Sequence, residues 1–271
     1  MRRLAFLCIA FWSCYSAFSQ VSPIDQSHGA RSKGLGNLKV NLPDAWSIFN
    51  NIGALDRAQA SEIALGYDHR YGLKELTSLD LAGLIKTNQG TFGVGLARFG
   101  GKLFNQQLFG IGYSQTLGIA SFGAKVDWFQ TQIQDFGTGN SLVLSIGGVA
   151  DLGPNIQMGA YFSNLNRAKV SKNSEDHLPT LISFGIKYTP ISDLQIQLEA
   201  EKDILVKPTI KAGIEYEIQE WVILRTGVNS NPSRLFFGLG LRPKNFLIDY
   251  AMGQNTSLGS THHVSLGYQW K

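Results

Sequence analysis

Two sets of residues in this chain have the side chains to do chemistry. One is the adjacent pair His262-His263; the other is a series of charges set among apolar neighbours: Lys125, Asp127, Lys187, Glu199, Glu201, Lys211, Glu215, Glu217, Arg225 and Asp249. The segments that carry them alternate with a period of two. In Leu194 to Glu201, Leu194, Ile196, Leu198 and Ala200 make one oily stripe, and Gln195, Gln197, Glu199 and Glu201 make a wet one. That is the signature of a strand, which sends successive side chains to opposite faces. The two histidines therefore diverge and do not chelate one ion, so no metal ligand is assigned. The charged series shares the wet faces, where the acids at 199 to 217 lie across neighbouring strands from Lys211 and Arg225. Either these groups satisfy one another and a plug inside a polar interior, or they shape a path for a ligand. Their mixed signs argue against a strongly ion-selective pore. The sequence holds no Gly-x-Ser-x-Gly, His-Glu-x-x-His, phosphate-loop or dinucleotide signature, so no catalytic residue or cofactor is assigned and a non-enzymatic protein is expected.

The elements that must position these residues are strands throughout. Alternation and turn residues place fourteen of them, near 61–70, 76–85, 91–99, 107–116, 119–130, 140–150, 155–165, 180–190, 193–203, 207–218, 220–229, 233–241, 245–252 and 260–270. The count is even, and most segments have the ~9–11 residues that a tilted strand needs to cross hydrocarbon. Tight connections such as Leu117-Gly118 and Arg242-Pro243-Lys244 alternate with longer ones expected at 100–106, 131–139, 166–179 and 253–259. Tyr188, Tyr216, Trp221, Tyr268 and Trp270 fall at one set of strand ends, and Tyr67, Trp128, Phe162 and Tyr250 near the other. Two aromatic girdles of this kind mark membrane-water interfaces. The fold expected is all-β: an antiparallel transmembrane barrel of about fourteen strands, spanning 61–271.

The N-terminus gives the compartment. Met1-Arg2-Arg3, an apolar stretch from Leu4 to Phe18 and small residues at Ala17 and Ser19 make a secretory signal over 1–19, with the mature chain beginning near Gln20. Cys8 and Cys14 both lie inside it, which removes disulfides and thiolate sites from the mature chain. Losing Arg2 and Arg3 takes 24 basic residues to 22 against 20 acidic ones, too close a balance for a nucleic-acid footprint. Beyond the signal no apolar run approaches ~18 residues, and a mean hydropathy of -0.04 suits strands with only one oily face. The expected location is the outer membrane of a Gram-negative bacterium, with the lipid bilayer as principal partner.

Residues 20–60 do not alternate. They contain Gly34 and Gly36, then Trp46, Ile48, Phe49, Asn50 and Asn51, too apolar a set to hang free in water. Pro43 and Asp44 suit the first turn of a short helix that Gly53 would end. This segment is expected to fold into the barrel as a plug or hatch. The glycines inside strands, Gly93, Gly95, Gly110, Gly112, Gly238 and Gly240, would permit strong curvature or close approach of that plug. The closing run Val264 to Trp270 resembles the C-terminal strand read by the barrel assembly machinery, with Lys271 following the final aromatic.

The run Gly29 to Leu55, Glu199 to Asp203, Lys207 to Tyr216, Leu224 to Gly227, Phe237 to Leu241 and Ile248 to Ala251 together resemble the PorV/PorQ family of outer-membrane proteins. That family is itself similar to FadL-type transporters, whose hatch carries Asn-Pro-Ala; here Asn51-Ile52-Gly53-Ala54 keeps the Asn without the Pro. The resemblance implies a fourteen-stranded barrel with an N-terminal hatch. For function it implies association with type IX secretion components or surface attachment of exported cargo. The alternatives are a FadL-like passive channel for a small hydrophobic ligand and a purely structural barrel.

Overall fold

The computed structural model describes residues 22–171, 174–204, 206–255 and 258–271. The expected signal peptide lies outside them. A short helix α1 (Ala30–Gly34) and two 3-10 turns (Ala45–Ile48 and Ile52–Arg57) precede fourteen strands. These are β1 (Ser61–Arg70), β2 (Leu73–Thr87), β3 (Gly90–Gly100), β4 (Phe104–Leu117), β5 (Ala120–Ile133), β6 (Gly137–Asp151), β7 (Ile156–Ser163), β8 (Leu181–Ile191), β9 (Leu194–Asp203), β10 (Thr209–Gln219), β11 (Val222–Ser230), β12 (Ser233–Leu241), β13 (Phe246–Asn255) and β14 (Gly259–Trp270). Each pairs antiparallel with the next, and β14 returns to β1, so the sheet closes without an edge.

The hydrophobicity of this barrel is inverted. Leu65, Val94, Ile111, Leu144, Ile186, Leu198 and Ile214 are exposed on the outside, while Asp80, Asp127, Glu199, Lys211, Glu215, Arg225 and Asp249 are buried within. Closure pairs the backbone without water, and the outward oily stripes face hydrocarbon, which makes the fold a transmembrane barrel. Tyr188, Tyr216, Trp221, Tyr268 and Trp270 stand outward at the end where the chain finishes; Tyr67, Trp128 and Tyr250 stand outward nearer the other, and Phe162 is half-buried against Phe184.

The connections differ from expectation. Strands continue through much of three stretches expected as long loops: 101–103 lies between β3 and β4 and 134–136 between β5 and β6, while β13 runs to Asn255 and β14 starts at Gly259. Left-handed backbone at Gly100 (φ +99°) and Asp135 (φ +65°) lets the chain reverse there in tight hairpins. The β7–β8 connection, residues 164–180, is the longest between two strands in the order Ser61 to Trp270. It has a structural task, because β7 pairs with β6 only from Ile146 to Asp151. Beyond that point the connection lies along β6: Leu165 N–H donates to Leu144 O (2.8 Å), while the Asn166 side chain accepts from Leu144 N–H (3.0 Å) and donates to Leu142 O (2.8 Å). One amide side chain thus replaces a strand's backbone.

The N-terminal segment fills the barrel, and glycine sets how closely it approaches the wall. Gly34 rests on Gly238, Leu35 and Gly36 on Gly227, Ile52 on Gly112 and Gly123, Phe49 on Gly95, and Leu55 and Ile48 on Gly93. A Cβ on Gly227 would stand 2.2 Å from Gly36 N, and one on Gly53 would stand 2.4 Å from Gly148 N. Gly110 and Gly240 give room instead to the side chains of Asp127 and Arg225. The expected helix after Pro43 is a single 3-10 turn capped by Asp44, whose Oδ1 accepts from Trp46 N–H (3.1 Å). Gly53 does not end it. It lies inside the second 3-10 turn, where contact with the wall, not helix termination, requires the missing side chain.

Gly227→Ala forces plug backbone against wall backbone, with no flexible side chain to yield. We expect it to cost about 1–3 kcal/mol, as overpacking does. Chemical unfolding of the folded barrel, followed by its heat-dependent gel mobility, checks this. Gly153→Ala, in a turn with nothing within 4 Å of the added methyl, is the unchanged control.

Candidate functional site

The candidate site is the contact between plug and wall, held by buried charge. Arg31 of α1 grips Glu215 of β10 with two hydrogen bonds, Nε to Oε2 (2.9 Å) and Nη2 to Oε1 (2.7 Å). Opposite Glu215 in register is Arg225 of β11, whose Nε meets the same Oε2 at 2.5 Å and whose Nη1 reaches Asp249 of β13 at 2.6 Å. Arg242 completes the chain on Asp249 at 2.9 Å. Bidentate guanidinium-carboxylate pairs fix orientation as well as charge. α1 is thereby keyed to three strands.

A second network lies along β9 and β10, where Lys211 and Glu199 are register partners. Lys211 Nζ bridges Glu199 Oε1 (3.1 Å) and Glu201 Oε2 (3.0 Å), and Lys39 of the plug meets Glu201 at 2.6 Å. The other oxygen of Glu199 accepts from the plug backbone, Lys39 N–H at 2.7 Å and Val40 N–H at 2.9 Å. Lys125 and Asp127 form a separate pair at 3.0 Å, with Lys125 above the Tyr161 ring. Lys187 and Glu217 stand half-buried, outside these networks.

The sequence reading missed the plug's own cations and a further cluster on β1, β2 and β14. Asp68 there gathers Arg70 (2.9 Å), Lys33 (3.6 Å) and His263 (2.7 Å). His28 meets Asp80 at 3.0 Å and stacks on Phe49 at 4.3 Å. Strand alternation already places Glu62, Asp68 and Asp80 on the wet face and was the available signal. Arg31, Lys33 and Lys39 sit where no periodicity exists to orient them. His262 and His263 diverge, His263 inward to Asp68 and His262 outward to the Tyr250 hydroxyl.

The plug candidates all lie inside. Asn50 exchanges hydrogen bonds with the backbone of His28, and Asn51 caps the second 3-10 turn through Gly53 N–H (3.0 Å) while donating to Val40 O (2.8 Å). Gly36 turns the chain after α1 with φ +78°. Burial pulls the Lys33 ammonium down to about 8 although Asp68 opposes it, and pushes the Asp44 carboxyl up to about 7 although Arg31 opposes that. A cavity of about 80 Å³, room for a few waters, remains between Arg31, Asp44, Trp46 and the wall residues Glu62, Arg242 and Asp249.

Through this polar interior runs an apolar seam. Trp46, Ile48, Phe49, Ile52 and Leu55 of the plug join Leu84, Leu108, Phe129 and Val143 of the wall, then Leu178 of the β7–β8 connection, with Ala168 and Val170 packed against them. The interior is therefore filled from the plug to the long loop by side chains that an apolar molecule could replace in kind.

Fold and interior together define a plugged fourteen-stranded barrel. Neither a family profile nor a curated protein sequence matches the chain. Solved structures do. The Ralstonia pickettii toluene transporter TbuX superposes with a TM-score of 0.72 at 11% identity, covering 91% of this chain and 99% of that one. The monoaromatic hydrocarbon channel CymD gives 0.71 at 12%, covering 92% and 99%. A Pseudomonas aeruginosa FadL homologue gives 0.61 at 12%, covering 90% and 98%. At such identity the likeness is one of fold.

Glu215→Ala would leave the half-buried Arg31 and the buried Arg225 without their shared anion. Breaking a buried pair costs about 3–5 kcal/mol, and we expect a loss of that order in urea unfolding. Glu217→Ala, outside the networks, should stay within about 0.5 kcal/mol of the parent.

Proposed function

We propose that this protein is a non-enzymatic outer-membrane channel for small hydrophobic solutes, of the FadL type, exported by its signal peptide, inserted by the barrel assembly machinery and closed by its N-terminal plug. The observation that carries the reading is the apolar seam through an otherwise polar interior. A barrel that only needed filling could be filled by ion pairs, as it is elsewhere in this molecule. A seam of Phe49, Ile48, Phe129, Val143 and Leu178 instead offers an apolar solute contacts that water does not. Burying such a solute gains about 25 cal/mol per Å². The similarity in fold to barrels described as toluene transporters and a monoaromatic hydrocarbon channel supports the same reading.

In this view the ion networks hold α1 and Lys39 to β9, β10 and β11, and the seam is the part that yields. Its apolar side chains pack on one another and on wall glycines through dispersion contacts, and no hydrogen bond of theirs has to break when they repack. This reverses the order suggested by the PorV/PorQ resemblance. Apart from residues 164–180, the connections at the loop-bearing end are short hairpins, which offer little surface for holding protein cargo.

Expression in a Gram-negative host stripped of its own hydrocarbon channels should raise the initial rate of labelled toluene uptake several-fold over the empty vector. Phe129→Lys, which sets a charge in the seam, should remove that gain. A folded barrel with no gain over the vector sinks the channel reading. Copurified secretion proteins in that case would restore the alternative.

A further inference from the structure

Where β7 stops at Ser163, β6 continues toward Gly137 with the β7–β8 connection beside it in place of a strand. A loop does not follow a strand at constant spacing, and a groove of about 520 Å³ opens between them. Its apolar lining is Trp128, Leu142 and Ala168; Asn140, Ser141 and Ser171 supply polar groups, and Lys169 supplies a cation. Trp128 and Leu142 are 38% and 59% exposed and belong to the outward, hydrocarbon-facing surface. The groove is thus a recess that opens on the outside of the wall and borders the seam at Ala168, whose other contacts are inward.

We propose that this groove binds one acyl chain of a phosphate-bearing membrane lipid, in the leaflet at the end of the barrel that carries the long connection, with the lipid phosphate on Lys169. Three observations select this occupant. The groove opens on the face that meets hydrocarbon, so an acyl chain is what surrounds it. Its lining is amphipathic, with apolar groups for a chain, and the Ser171 hydroxyl, the Asn140 amide and the Lys169 ammonium for a headgroup. Among the described residues, the Lys169 ammonium is held only by Glu175 (3.1 Å), whose side chain is 96% exposed. So open an ion pair is weak, and Lys169 can exchange it for a phosphate. Arg167, two residues earlier on the same connection, is exposed.

Bound there, the lipid would cover the stretch of wall where strand pairing is replaced by the side-chain bonds of Asn166. The proposal does not rest on the solute-channel reading, and its test measures lipid rather than solute.

The test is native mass spectrometry of the full-length barrel in mild detergent, titrated with dimyristoyl phosphatidylglycerol and, separately, with dimyristoylglycerol, which lacks the phosphate. The expected result is one saturable phosphatidylglycerol adduct, bound at least fivefold more tightly than dimyristoylglycerol. Ala168→Trp, which fills the groove, should abolish that adduct, and Lys169→Gln should weaken it several-fold. Should Ala168→Trp fail to give the heat-shifted gel band of a folded barrel, Leu142→Asn removes the groove's largest aliphatic contact and should weaken the adduct likewise. Equal binding of the two lipids, adducts that accumulate without saturation, or a folded Ala168→Trp barrel that keeps its adduct would each overturn the proposal.

Discussion

The rest of this structure depends on how closely the plug backbone can approach the wall backbone. Leu35 and Gly36 touch Gly227, Gly34 touches Gly238, and Gly53 touches Gly147 and Gly148. Each is a place where even one methyl group would hold the two chains apart. Because the wall is a closed ring of hydrogen-bonded strands, it cannot open to accommodate a thicker plug without losing pairs that nothing in hydrocarbon replaces. The glycines spread around the ring are therefore what lets a single short segment fill the barrel.

Close approach makes the ionic networks possible and necessary. With α1 seated on Gly238 and the following Leu35 and Gly36 on Gly227, the Arg31 side chain runs directly onto Glu215, and Glu199 reaches the amides of Lys39 and Val40. Charges taken this far from water are tolerable only when paired. The plug and wall supply each other's partners, so neither surface is satisfied alone. The apolar seam differs in kind. It is held by dispersion and the exclusion of water, which set no fixed partner and allow repacking. A firmly keyed plug with a replaceable seam is an arrangement suited to admitting apolar molecules without dismantling the barrel.

Much of the site was legible from alternation. Alternation turns the wet-face charges Glu199, Lys211, Glu215, Arg225 and Asp249 inward and sets the acids at 199 to 217 across neighbouring strands from Lys211 and Arg225, and the register places Glu215 beside Arg225 and Lys211 beside Glu199. The plug cations were not legible, since residues 22–60 follow no period that assigns a face. The loops were misread for a related reason. Polar residues such as Asn105 and Gln106 look like loop where they continue a strand beyond the hydrocarbon, because pairing, unlike lipid contact, makes no demand on polarity.

The sequence by itself determined the strand count, the inward and outward faces, and the presence of a filler segment, all of which follow from the two-residue repeat of a strand and the oiliness of the bilayer. Only the tertiary structure decided that Gly53 serves contact rather than helix termination, that Arg31 is the partner of Glu215, that apolar residues align into a seam, and that Asn166 stands in for a missing strand. Those outcomes depend on which distant segments meet, and local periodicity carries no record of distance through space.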